Sequence, residues 1–194
     1  MANKDAPFGL KPIGKVGQNR DNQGLSEYDI AASASAIYFQ DPVEMAATGT
    51  ITVAAAGDTL LLGSLNGVFF TDASTSKPTY ANHLNASNTA TDIVGFVSDD
   101  PYERFEIQAS TTLPIASINA LADLATYAAG SSPNYVSKVE LNTSAVSTTT
   151  DQFKILGVTK DDDNNNLVNA TTYAANVNVV GVINTHFLKQ TSGI

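Results

Sequence analysis

The chain has 194 residues, no Cys, no Trp and a formal net charge of −9. That length fits one domain, or one domain with an extended arm, and buries a core without a disulfide or metal staple. Zero Cys excludes a disulfide framework, a zinc–thiolate site and a cysteine nucleophile. The charge is uneven: residues 1–20 hold four basic residues against Asp5, whereas residues 21–194 hold 6 basic and 18 acidic ones. An acidic body repels nucleic-acid phosphates, so a DNA- or RNA-binding module is not expected.

The first predicted element is an extended N-terminal arm over residues 1–24, where Pro7, Gly9, Pro12, Gly14, Gly17 and Gly24 interrupt regular structure. Within it, "APFGLKPIGK" (6–15) threads Phe8, Leu10 and Ile13 between prolines and lysines. The prolines favour extended backbone and reduce the entropy lost on docking. Such a segment can pair at a sheet edge or lie in a neighbour's groove. Pro7, Phe8, Leu10, Lys11, Pro12, Ile13 and Lys15 are therefore the candidate partner-binding residues. A frayed terminus is the plainer alternative.

Residues 25–194 read as one β-rich domain, a β-barrel or β-sandwich body. Strands are predicted at 35–40, at two places within 49–64 around a turn at Gly57-Asp58, and at 66–71 after a hairpin turn at Asn66-Gly67. The polar stretch 72–92 reads as a long surface loop. Strands resume at 92–98, at 102–109 (Phe105 and Ile107 opposite Arg104 and Glu106), at 134–141, at 152–159 and at 176–188. One segment breaks the pattern: in "SINALADLATYAAG" (117–130), Ile118, Leu121, Ala122 and Ala125 recur at helical spacing, which predicts one short helix.

Candidate chemistry is sparse. "DDDNNN" (161–166) offers oxygens for Ca²⁺, but a calcium loop wants Gly sixth and Glu twelfth, where this chain has Asn166 and Thr172. A turn between two strands accounts for it better. His83 and His186 have no second ligand at metal spacing and read as structural. Neither a nucleophile elbow nor a phosphate-binding glycine loop occurs. The expectation is a protein that is not an enzyme and uses no cofactor or metal. No window approaches the roughly 18 apolar residues of a membrane span and no signal segment is seen, so a soluble chain is expected.

The opening "MANKDAPFGLKPIGKVGQN" resembles the start of a group of structural proteins of tailed bacteriophages, marine ones especially. "FKILGVTKDDDNNN" (153–166) followed by "ANVNVVGVINTHFL" (175–188) resembles their closing pair of strands joined by an acidic, Asn-rich turn. "INALADLATYAAG" is similar to their short helix. The resemblance covers both ends and part of the middle, and leaves residues 71–92 unmatched. It implies a virion protein made in the host cytoplasm: a capsid decoration (cement) protein on the outer capsid surface, mostly β and commonly a homotrimer. Its implied partners are the major capsid protein and further copies of itself, with no nucleic acid or membrane. The arm would then be a clasp, with Phe8, Leu10 and Ile13 as apolar anchors and Lys11, Lys15 and Arg20 meeting acidic groups. A tail tube or head–tail connector protein is the alternative, with residues 71–92 as its polymerising loop. A carbohydrate-binding β-domain would want exposed aromatics, whereas most Tyr and Phe here fall within strand patterns.

Overall fold

Apolar–polar alternation builds the body. In Glu103–Gln108, Phe105 and Ile107 enter the core while Arg104 faces outward, as the sequence predicts. The computed structural model describes residues 3–17, 24–57, 60–125, 130, 133–161, 164 and 166–189. The chain is mainly β and its sheets are antiparallel. In chain order the strands begin with β1 (Lys11–Lys15), β2 (Ser26–Asp29), β3 (Pro42–Met45), β4 (Ile51–Val53) and β5 (Gly63–Thr71). Then come β6 (Pro78–Ala81), β7 (Val94–Ser98), β8 (Glu103–Gln108), β9 (Leu113–Pro114) and β10 (Leu121–Leu124). The last are β11 (Leu141–Ser147), β12 (Phe153–Val158), β13 (Leu167–Asn169), β14 (Thr172–Tyr173) and β15 (Asn178–Ile183).

The first sheet runs β1-β8-β15-β12-β10-β11. Its far edge returns to its start, because Ala109, just past β8, bridges Leu141, and the Ser110 N–H donates to the Leu141 carbonyl. The second sheet runs β2-β7-β5-β3-β4, with β6 also on β5, and the bridge between Ile30 and Ile51 joins its two edges. Each sheet thus curls over its own cluster, with inward and outward residues alternating as in a small barrel. Phe105, Phe153, Ile155 and Val179 lie in the first cluster; Leu65, Val68, Ile93 and Val97 lie in the second. A seam joins the halves. Leu61 belongs to one core and Leu62 to the other, and the Leu61 N–H and carbonyl bond Thr185 and Phe187.

Several expectations are corrected. No helix forms at the start of 117–130: a 3-10 turn covers Ile115–Ser117 and Leu121–Leu124 is strand β10 between β12 and β11. Residues 126–129, which the predicted helix also covered, lie outside the described residues. Leu121, Ala122 and Leu124 are all buried, so β10 shows no alternation in the sequence. Backbone bonds from Asn119 to Ile155 and from Ile155 to Ala120 draw the segment into the sheet. Tertiary pairing overrides a weak local preference.

Asn66-Gly67 is not a hairpin turn but a bulge within the nine-residue strand β5, where Leu65 and Gly67 pair with consecutive residues of β7. The polar stretch 72–92 is not one long loop either. A turn at 72–77 leads into β6, and Leu84 bridges Ile37. Asp72 holds that turn by accepting the Ser74 and Thr75 N–H groups and both hydroxyls. The strand expected at 35–40 is reduced to isolated bridges at Ile37 and Phe39, and that at 134–141 to a bridge at Val136 before β11 begins.

Candidate interaction surface

The N-terminal segment proposed as a clasp lies along the edge of the first sheet. Its entry is fixed by polar contacts. The Asn3 amide donates to the Ala175 carbonyl at 3.1 Å, the Ala6 N–H donates to Gln108 Oε1 at 2.9 Å, and Gln108 Nε2 donates back to the Lys4 carbonyl at 3.0 Å. Gly9 is then buried with φ +78°. A Cβ there would overlap the Gln40 carbonyl and sit 2.5 Å from Ser137 Cβ, so only glycine fits. Leu10 follows at 0% exposure inside the first core. Its N–H donates to the Gln40 carbonyl at 2.9 Å and its carbonyl accepts Ser64 Oγ at 2.6 Å. The Phe-Gly-Leu step is therefore part of the seam between the two halves.

From Lys11 the chain becomes β1, antiparallel to β8, with Lys11 opposite Glu106 and Lys15 opposite Glu103. Pro12 is tolerated because β1 is an edge strand. The register slips between Pro12 and Gly14, and the Gly14 N–H donates to Glu103 Oε1 at 2.9 Å. Lys11 Nζ lies 3.0 Å from Glu106 Oε2, and Glu106 Oε1 accepts Thr159 Oγ1 at 2.7 Å. Lys15 Nζ lies 2.6 Å from Asp100 Oδ2, and this bond holds the lysine above its ordinary pKa.

The seven candidate residues thus separate. Leu10 is spent on the chain's own core, which corrects its role as an anchor for a neighbour. Lys11 and Lys15 are ion-paired within the chain, and Pro7, Phe8 and Pro12 are half-buried. Ile13, with Val16 beside it, remains exposed. Over Lys11–Lys15 the predicted arm is a strand of the body. Arg20 lies outside the described residues.

The titratable groups singled out by sequence have local tasks. His186 is fully buried, and burial, then Lys189, lowers its pKa to about 4; its Nδ1 accepts the Leu188 N–H at 3.1 Å. His83 stacks face to face on Tyr135 with ring centroids 3.8 Å apart. In the Asp/Asn run, Asn164 is buried and donates to the Thr159 and Asn178 carbonyls while accepting the Asn178 N–H at 2.6 Å, plugging the start of the turn. Asp162, Asp163 and Asn165 lie outside the described residues. Among the described residues no group of three His, Asp or Glu side chains could hold a metal ion.

Sequence reasoning missed Asp41 and the outward aromatic row. Asp41 is 4% exposed, and its pKa is raised to about 6 by burial, against hydrogen bonds from Ser137 and from the Tyr38 N–H at 2.7 Å. Asp41-Pro42 directly follows the strand predicted at 35–40, and nothing in that dipeptide signals a buried carboxyl. Phe69, Tyr80 and Phe96 share one outward face, with Tyr80 75% exposed. Phe69 falls in the strand predicted at 66–71 and Phe96 in that at 92–98, but Tyr80 lies in the stretch 72–92 that reads as a loop. No family model, curated protein or solved structure matches the chain.

Proposed function

We propose that the protein is a virion structural protein that decorates the outside of a tailed-phage capsid, where it binds the major capsid protein and stabilises contacts between capsid subunits without catalysis. The observation that carries this reading joins sequence to fold. The segments that resemble phage structural proteins come from opposite ends of the chain, yet they form one contiguous unit. β12 and β15 pair directly, β15 pairs with β8, and β8 pairs with β1. The "APFGL" step enters the same core, and Asn3 bonds Asn166 near the Asn-rich turn. The third resembling segment also joins this sheet, through Leu121–Leu124, but as strand β10 and not as the short helix that the resemblance implies. Capsid contact then falls to what the edge leaves outside, Ile13 in β1 and Val16 just past its end. Repetition of a small contact over many capsid sites raises avidity without a large single interface.

Head decoration is preferred over a tail tube because residues 78–81 pair with β5. Leu84 bridges Ile37, and Ser87 and Asn88 bond Ala34 and Ser33, so two tethered turns, and no long free loop, are left of the stretch that a polymerising loop would use. The test is immunogold labelling of the phage particles whose genome encodes the chain. Label over the head surface supports decoration, and label along the tail moves the assignment to the tube. Particles that carry none of the chain overturn a virion role.

A further inference from the structure

The two curled sheets present outward faces of opposite character. On the second sheet Gly95, Val97, Val68 and Phe70 face the core, so Phe69, Val94 and Phe96 face out. Tyr80 is opposite Phe69, with ring centroids 4.8 Å apart, and its ring is near-parallel to Phe96 at 6.4 Å. Glu27 and Asp29 pair across from Phe96 and Val94 on this same face. Both are exposed, and neither is ion-paired to a described residue. This face is aromatic with an acidic rim.

On the first sheet the outward row runs Lys154, Val182, Arg104 across β12, β15 and β8. Beside it a depression of about 420 Å³ is lined by Arg104, Leu156, Lys160 and Val180. Arg104, Lys154 and Lys160 have no ion pair to a described residue, and the buried Nε of Arg104 has no hydrogen-bond acceptor among the described residues. Those are three of the ten basic residues of a chain with net charge −9. This face is aliphatic with a cationic rim.

We propose that the two faces are the halves of one self-interface, the aromatic, acid-rimmed face of one copy docking on the aliphatic, cation-rimmed face of the next. Each supplies what the other lacks. Apolar surface meets apolar surface, and the unpaired carboxylates of one rim meet the unpaired cations of the other. Because the joined patches differ, the contact is heterologous, and it propagates into a ring or an open chain instead of stopping at a two-fold dimer. The inference does not rest on the capsid reading and holds with or without it.

Sedimentation velocity of the full chain, from about 1 to 300 µM, tests it. The wild type should associate with rising concentration, and less so as NaCl is raised from about 50 to 500 mM. Tyr80→Ser, at an exposed position, should weaken association at least tenfold on the order expected of an aromatic anchor, with an unchanged melting temperature. Two further variants address the pairing: Glu27→Lys with Tyr80→Ser on one face, and Lys154→Glu with Lys160→Glu on the other. Each alone should be monomeric, and an equimolar mixture should form dimers and nothing larger, since one intact half of each kind remains. A monomeric wild type at every concentration overturns the proposal. So does association untouched by Tyr80→Ser, or a mixture that stays monomeric. If the lysine variant fails to fold, Leu156→Ser replaces it in the same mixture.

Discussion

Asp41 and His186 are both almost wholly removed from water, and burial moves them in opposite directions, the carboxyl up to about 6 and the imidazole down to about 4. The consequences for stability also oppose. Between about pH 4 and 6 the folded chain keeps a proton on Asp41 that the unfolded chain has released, so this group's contribution falls as pH rises. Between about pH 4 and 6.5 the unfolded chain protonates a histidine that the folded chain holds neutral, so the contribution of His186 is lost as pH falls. Each displacement is worth about 3 kcal/mol, and the two windows overlap. Urea midpoints of the wild type should therefore vary little from pH 6 to pH 4. Asp41→Asn, whose amide oxygen can still accept the Tyr38 N–H, should lose about 3 kcal/mol over that range because His186 then acts alone. His186→Asn, whose oxygen can take the Leu188 N–H, should gain stability on acidification. Parallel profiles for all three proteins would mean that neither group titrates as its burial dictates.

At the scale of the element, the edge strand β1 was legible only in part. Proline and glycine spacing signalled extended backbone, and of the apolar residues Leu10 is buried, in the chain's own core, while Ile13 is exposed. What the segment is buried against depends on Glu106, Gln40 and Ser64, distant residues brought to it by the fold, and no local pattern carries that information. The same reason explains β10. Leu121, Ala122 and Leu124 satisfy a helical template as well as a doubly buried strand, and only the partners β12 and β11 decide between them. Conversely, β8 was readable because Phe105 and Ile107 alternate with the charged Arg104 and Glu106 in the residues themselves. The strand β1 makes a quantitative statement. Leu10→Ala should cost about 2–5 kcal/mol in chemical denaturation, as expected for a fully buried leucine. Ile13→Ala, three residues on and exposed, should cost less than about 1 kcal/mol. Equal, small effects at both positions would mean that the segment leaves the body in solution, and that the extended-arm reading was the right one.

Over the whole molecule the question is whether two cores make one folding unit. The class, mainly β, followed from short apolar stretches and closely spaced turns, but the division into two curled sheets did not. Leu61 and Leu62 stand side by side in the sequence and point into different clusters, which no periodicity distinguishes. That adjacency is the reason to expect coupling. A backbone that positions Leu61 against Thr185 and Phe187 also positions Leu62, whose N–H bonds the Val43 carbonyl, in the other half. Leu10 repeats the arrangement, with its side chain in the first core and its carbonyl on Ser64 of β5. Neither half can lose its core without releasing bonds that order the other, so urea unfolding should be a single transition. Far-UV circular dichroism, which reports both sheets, and fluorescence of the seven tyrosines should give coincident curves. Leu61→Ala should move both curves together, by about 2–5 kcal/mol. Curves that separate in the wild type would show that each sheet is stable over its own cluster and that the seam holds two independent units side by side.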